Sequence, residues 1–350
     1  MVQMELAVRG VSVINDRGEM LDLLKRNLPD PPELGFEWRY LRNPAGQACS
    51  WFLYEKGSSR AVGMASLFPR MMWVDGKPVM AGQVMHFVVD AGYRSLGPAV
   101  LLQRATFEPI DQGVIDFCYD CPPHDQGMTT FARLRMAPSC EVIRYALLLR
   151  SDGYLEKRMG SGRWTKPVAI AVNLLLRKRR TSHKVPGLEI QEFTAPFDAE
   201  FSALDKSVST KGVVTRCRSA EELNWRYREN PEHRYQVLVA RRGGELCGFA
   251  VFVVQSEGVA SLMELFGPQL AEVGVPLLNA VIETCRRQRL WAVYGYCSEE
   301  SEMKSLFAAT GFRRRERAAR VVPYANAGSA VSHRFSRGLR WSFSHAELSG

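Results

Sequence analysis

The sequence predicts an α/β (α+β) protein built of two related units in tandem, and three observations predict it. First, Trp-Arg-Tyr-x-x-Asn-Pro occurs twice, as Trp38-Arg39-Tyr40 with Asn43-Pro44 and as Trp225-Arg226-Tyr227 with Asn230-Pro231, at an offset of 187 residues. That offset is about one ordinary domain, far longer than the roughly 20–50 residues of a solenoid unit. Second, each copy is followed by an apolar run, a polar turn and another apolar run carrying glycine. These are Trp51 to Tyr54, Lys56 to Ser59 and Ala61 to Ala65 in the first copy, and Val237 to Ala240, Arg242 to Glu245 and Leu246 to Ala250 in the second. Third, both halves then alternate strand-like and helix-like stretches in the same order.

The elements follow in turn. Asp16 to Asn27 sets Met20, Leu23 and Leu24 at helical spacing. A hairpin turns at Gly57, and its second strand runs to Phe68. Asp75-Gly76 between Met71–Val74 and Val79 is a tight-turn signal for a further hairpin. Val84 to Val89 is a strand that leads through Tyr93–Ala99 into a helix carrying Val100, Leu101, Leu102 and Ala105. A strand at 113–119, a short helix at 128–135 and a last strand at 141–149 close the first unit. The second unit repeats the plan with strand 261–266, helix 276–288, strand 291–296, helix 299–309, Gly311-Phe312 and a final strand. The expected organisation is a first unit at 1–165, a linker at 166–187, a second unit at 188–327 and a tail at 328–350. The linker carries Val168 to Leu176 and the basic run Arg177-Lys178-Arg179-Arg180, and ends in Pro186-Gly187. Phe335, Leu339, Trp341 and Phe343 predict that the tail docks.

At 350 residues and 46% hydrophobic content, either half can bury a core. No window of about 18 apolar residues occurs, so no membrane span is expected. The opening Met1 to Leu6 lacks a basic stretch followed by an apolar one, so no signal peptide is expected and the location is read as cytoplasmic. Cys118-x-x-Cys121 has no second Cys/His pair at zinc spacing, so no metal is expected. The formal charge is +9, with clusters at Arg177 to Arg180 and at Arg313, Arg314, Arg315, Arg317 and Arg320. Such clusters can footprint phosphate, but no interleaved aromatic motif accompanies them. A solvated linker and a charged strand edge account for them, and no nucleic-acid partner is expected.

The chemically loaded segment is the strand, Arg94-x-x-Gly97-x-Ala99, helix passage. A glycine-bearing loop entering a helix points backbone N–H groups and the positive end of the helix dipole at one spot, which suits a diphosphate. Gly97 permits close approach, Arg94 adds a charge-assisted contact, and Pro98 fits the first helical turn. The second copy has Glu264-Leu-Phe-Gly-Pro268 there, without the arginine, and Glu272 brings the wrong charge.

This pattern resembles the GNAT (GCN5-related N-acetyltransferase) superfamily, whose signature (Gln/Arg)-x-x-Gly-x-(Gly/Ala) Arg94 to Ala99 matches. The resemblance covers nearly the whole chain and is strongest at 36–105 and 222–312. It implies two tandem GNAT-like domains, each a mixed, mostly antiparallel sheet flanked by helices. It also implies acetyl-CoA or another acyl-CoA as co-substrate. Arg94, Ser95, Leu96, Gly97, Pro98 and Ala99 would hold the pyrophosphate, and the backbone of Val88 and Val89 would face the pantetheine. Pro98 departs from the pattern by removing one amide donor. The second domain is then expected to have lost cofactor binding.

Direct attack of an amine on a thioester needs a base for the ammonium proton and an acid for the leaving thiolate. His86, on the strand before the loop, shares a face with Val88 and suits a base; a buried histidine satisfied by a neighbour is the alternative. His124, in a later loop, is the competing base. Tyr119 is the acid the resemblance implies. The repeated Trp-Arg-Tyr elements are expected to do fold work, because both copies keep them while one keeps the cofactor loop. The expected function is an acyl-CoA-dependent acyltransferase acting on a small-molecule amine, hydroxyl or amino-sugar acceptor. The alternatives are a transferase using aminoacyl-tRNA as donor and a non-catalytic scaffold.

Overall fold

Asp75 and Gly76 both take positive φ, 51° and 78°, the backbone that a two-residue turn between twisted strands requires. They join β3 (Ala61–Val74) to β4 (Lys77–Val89), the longest ladder of the protein. The computed structural model describes residues 5–29, 31, 33–151, 185–208, 210–255 and 258–348. Most of the expected linker, with Arg177 to Arg180, lies outside the described residues.

In the first half β1 (Leu6–Val11) and β2 (Cys49–Glu55) precede this hairpin, with α1 (Arg17–Asn27) and α2 (Phe36–Tyr40) between them. After β4 come α3 (Leu96–Ala105), α4 (Glu108–Asp111), β5 (Phe117–Asp120), α5 (Asp125–Arg133) and β6 (Cys140–Leu148). The second half runs β7 (Leu188–Glu192), α6 (Ala199–Ser207), β8 (Val213–Arg216), α7 (Ala220–Tyr227), β9 (Tyr235–Arg242), β10 (Glu245–Gln255) and β11 (Val259–Phe266). It continues with α8 (Leu270–Arg287), β12 (Ala292–Ser298), α9 (Met303–Ala309), β13 (Arg313–Tyr324), α10 (Ala330–Phe335) and β14 (Arg340–Trp341). No helix among the described residues is long and apolar enough to cross a membrane.

The strands form one sheet in the order β1-β2-β3-β4-β5-β13-β6-β12-β11-β10-β9-β7, with β8 pairing both β3 and β14. Most pairings are antiparallel; β4 with β5, β11 with β12 and β8 with β14 are parallel. The strand expected to close the first unit does not close it. β6 pairs with β12 of the second half, and β13 reaches back to pair with β5 of the first. β6 of the first half thus joins the second, β13 of the second reaches the first, and the two pair with each other at the centre.

The two copies of the repeated motif meet each other across the two halves. Trp38 and Trp225 stack with ring centroids 4.6 Å apart. Each indole N–H donates to the other's backbone carbonyl, Trp38 to Trp225 at 2.7 Å and Trp225 to Trp38 at 3.0 Å. Residue i touching j while j touches i is the signature of a twofold contact, here between two halves of one chain. The asparagines work locally: Asn43 donates to the Pro69 carbonyl at 2.8 Å, and Asn230 accepts from the amides of Glu232 and His233.

The tail docks as its aromatics predict. Trp341 and Phe343 are buried, β14 pairs with β8, and a buried turn at His345–Glu347 follows.

Candidate functional site

β4 and β5 pair over only three residues each, Ala81 to Gln83 against Phe117 to Tyr119. β4 then runs six residues further, to Val89, with no strand on that side, so the sheet forks. Beyond Val89 the chain turns through Asp90–Ser95 into α3. Ser95, at the N-cap, makes no side-chain capping bond, so the first-turn amides of α3 have no cap. The Ser95 amide itself is bonded to the Tyr93 carbonyl at 2.7 Å and Pro98 has no N–H, which leaves Leu96 and Gly97 as donors. A Cβ built on Gly97 would meet nothing within 4 Å, so the approach to this turn is open.

A cleft of about 550 Å3 begins at this turn. Val88, Val89, Arg94, Ser95, Ala99 and His124 line it, so the structure brings these candidate residues together. Gly97 and Pro98 sit in the same helical turn without lining the cleft, and Leu96 opens that turn. The lining also includes Asn27, Phe87, Thr129 and Thr130, which sequence reasoning missed. Asn27 ends α1 and Thr130 lies in α5, and no local pattern ties either helix to the loop.

The mouth is cationic. Arg94 folds back onto β4, its Nε donating to the Val89 carbonyl at 2.9 Å and its Nη2 to Asn27 Oδ1 at 3.0 Å. Arg26 pairs with Asp90 at 2.9 Å and Arg60 lies 3.8 Å from the same carboxylate. Burial would raise the Asp90 pKa, but the bonds from Arg26 and Asn27 outweigh it and hold the group below its ordinary value. Arg94 beside an uncapped helix N-terminus, with Arg26 and Arg60 sharing the neighbouring Asp90 carboxylate, makes a donor set that fits a diphosphate.

His86 is not part of this cleft, which corrects its reading as a base. It sits at a bulge in β4, with φ of 50°, and does share the face of Val88. Its Nδ1 lies 2.6 Å from the Tyr40 hydroxyl and its Nε2 3.4 Å from Arg39 Nη1. Arginine can only donate, so Nε2 presents its lone pair and Nδ1 carries the proton. Burial, then the Arg39 charge, lower its pKa to about 3. It is a half-buried histidine satisfied by its neighbours.

Tyr119 is also turned away. It packs edge-on to Phe343 of the tail at 5.3 Å, on the opposite face from α3, and burial raises its pKa. Its hydroxyl has no hydrogen-bond partner among the described residues. Its neighbour Asp120 alternates onto the α3 side at the fork's edge, and burial pushes its carboxyl up to about 7. Cys118 and Cys121 pack in different hydrophobic clusters.

The second half holds the same fork, and the tail narrows it to a cavity of about 310 Å3 lined by Phe266, Leu270, Ser301 and Ser344 among others. β11 and β12 pair over three residues and then diverge. Into the gap comes the tail: Ser344 Oγ donates to the Met263 carbonyl at 2.9 Å, and the Ser298 amide donates to the Phe343 carbonyl at 2.9 Å. Gly63 abuts the Val88 carbonyl and Gly248 the Phe266 carbonyl, which makes Val88 and Phe266 equivalent. α3 starts eight positions after Val88, whereas α8 starts four after Phe266. The shorter loop has no counterpart of Arg94. On the same alignment Glu264 stands where His86 stands, and Tyr227 reaches it at 3.0 Å as Tyr40 reaches His86.

Around Glu264 lies a buried ionic cluster. Arg218 bonds Glu264 at 3.0 Å, Arg216 pairs with Glu264 and with Glu222 at 3.0 Å, and Arg226 pairs with Glu222 at 3.1 Å. Glu347 of the tail lies 3.4 Å from Arg218.

No protein-family model matches the sequence, and no curated protein matches it significantly. Solved structures do match the fold. A conserved protein of Enterococcus faecalis V583 described as a probable N-acyltransferase is 10% identical, with a TM-score of 0.65 over 92% of this chain and 73% of that one. A GCN5-related N-acetyltransferase from Anabaena variabilis is 12% identical, with a TM-score of 0.63 over 91% and 72%. Saccharomyces cerevisiae N-myristoyltransferase with bound myristoyl-CoA is 12% identical, with a TM-score of 0.58 over 93% and 85%.

Proposed function

From the premise that this chain carries the GNAT fold, we propose that it is an acyl-CoA-dependent acyltransferase with a single cofactor cleft, in its first half. The observation that carries the reading is the free edge of β4 running into the uncapped, arginine-rimmed start of α3. An extended pantetheine would lie along β4 at Val88 and Val89. The diphosphate would take the amides of α3's first turn, with Arg94 leaving the Val89 carbonyl to reach it. The thioester then falls inside the fork, where an amine or hydroxyl of a small molecule or amino sugar would attack.

His124 is the base candidate that lines the cleft. Asp120 is the competitor, because a carboxyl that ionises near neutral pH can accept a proton there. The basic run on β13 gives an RNA donor little support: Arg314 pairs with Glu299, and Arg317 and Arg320 pair with Asp125 and Glu141.

Calorimetric titration with acetyl-CoA tests the reading. One molecule per chain is expected, with Arg94→Glu weakening binding about 10- to 100-fold, the range for losing a charge-assisted contact. No binding to the parent protein, or equal binding to the variant, refutes it.

A further inference from the structure

A chain anchored by its diphosphate at α3 and laid along β4 runs back from Val89 toward Gln83, so its far end points into the closed end of the fork. The cleft lining on β4 stops at Phe87. Three residues of strand, a span of about 13 Å, separate Phe87 from the pairing of Gln83 with Tyr119 that shuts the fork. Both faces of that stretch are occupied. On the α3 side, Val84, Leu102, Ala105 and Cys118 are buried together in one apolar cluster.

The other face is polar and sealed by the tail. Gln83 Nε2 donates to the Glu347 carbonyl at 3.0 Å, and Arg70, on β3, donates to the Ala346 carbonyl at 3.4 Å. Phe343 closes over Tyr119. Gln83 Oε1, Arg70 Nε and the Tyr119 hydroxyl are all buried there without a hydrogen-bond partner. A long hydrocarbon driven into this space would displace bonded carbonyls and press against a buried guanidinium, which is unfavourable on both counts.

We propose that the fork accepts only a short acyl group, of about two to four carbons, and that the C-terminal tail is the wall that sets this length. The inference rests on the acyltransferase reading. It gives Phe343, with Gln83 and Tyr119, a specificity role: they hold the end of the acyl pocket and touch no reacting atom.

Binding of acetyl-, butyryl-, octanoyl- and myristoyl-CoA to the full chain tests it by calorimetry, with coenzyme A alone as the baseline. In an apolar channel each added methylene would tighten binding about fourfold. The expected result is a rise no further than butyryl, followed by a flat or falling series. A sustained fourfold gain per methylene out to myristoyl overturns the proposal. Failure of every thioester and of coenzyme A to bind overturns the acyltransferase reading instead. Phe343→Ala should shift the break to a longer chain while leaving coenzyme A binding unchanged. If that variant is folded and its break does not move, the tail is not the wall. If it does not fold, the parent series alone decides chain length.

Discussion

Replacing Trp38 with phenylalanine tests whether the repeated motif clasps the two halves. The indole N–H of Trp38 is the donor to the Trp225 carbonyl at 2.7 Å, and Trp38 is 4% exposed, so the substitution strands a buried acceptor. That costs about 1–3 kcal/mol. The stacked pair at 4.6 Å adds about 0.5–1.5 kcal/mol of ring contact, which phenylalanine partly retains. About 2 kcal/mol is therefore expected for Trp38→Phe, and the same for Trp225→Phe by the twofold relation. Because the two rings touch, the double variant should depart from additivity by about 0.5 kcal/mol or more. Urea unfolding followed by fluorescence and circular dichroism measures all three. Single-variant losses below about 0.5 kcal/mol, or strict additivity, would refute the clasp.

Three further outcomes are expected. Asp120→Asn should stabilise the protein at pH 8 and leave it nearly unchanged at pH 4. A carboxyl raised from 3.8 to about 7 favours the fold while protonated, and that contribution is lost as pH rises through 7. Melting temperatures across this range check the sign, and a loss of stability at pH 8 would count against it. Glu347→Gln should destabilise by about 3–5 kcal/mol at pH 7, since it leaves Arg218 and Arg216 facing a neutral group. Burial would raise the Glu347 pKa, but those two arginines lower it, so its contribution is present above the ordinary glutamate range and disappears as pH falls. The variant should therefore flatten the acid limb of the stability profile, as read by chemical denaturation at several pH values. Gly295→Ala places a Cβ 2.4 Å from Phe307 Cζ in the core, and a melting measurement should show a loss of about 1–3 kcal/mol.

The sequence told most about what repeats and about what is local. The Asp75-Gly76 hairpin, α1 with Met20, Leu23 and Leu24 inward, and the Arg94 to Ala99 loop are each written in fewer than twenty consecutive residues, and the duplication in a seven-residue pattern that recurs. The loop had a further support, its resemblance to a signature. What could not be read was partnership at a distance. Nothing around Glu141 announces that β6 will sit between β12 and β13, because alternation marks a strand's faces and not its neighbour. His86 has the right strand and the right face for a base, yet its role is decided by Arg39 and Tyr40, which approach from α2. Tyr119 and Asp120 are neighbours in sequence at the fork, and alternation sends one to the tail and the other toward α3. The tail's aromatics announced burial, and only the structure supplied the address.

The exchange of β6 and β13 also governs when the protein can be completed. During synthesis the first half emerges with β5 lacking its neighbour, because that neighbour, Val322 to Tyr324, lies about two hundred residues downstream. Until it arrives, β5 keeps an open edge, and until Trp225 emerges Trp38 has no ring to stack on. The two halves therefore finish folding together, late, and as one cooperative event with high contact order. A nascent chain stalled before residue 313 would present unpaired strand edges, the form in which such a protein is most exposed to misassembly.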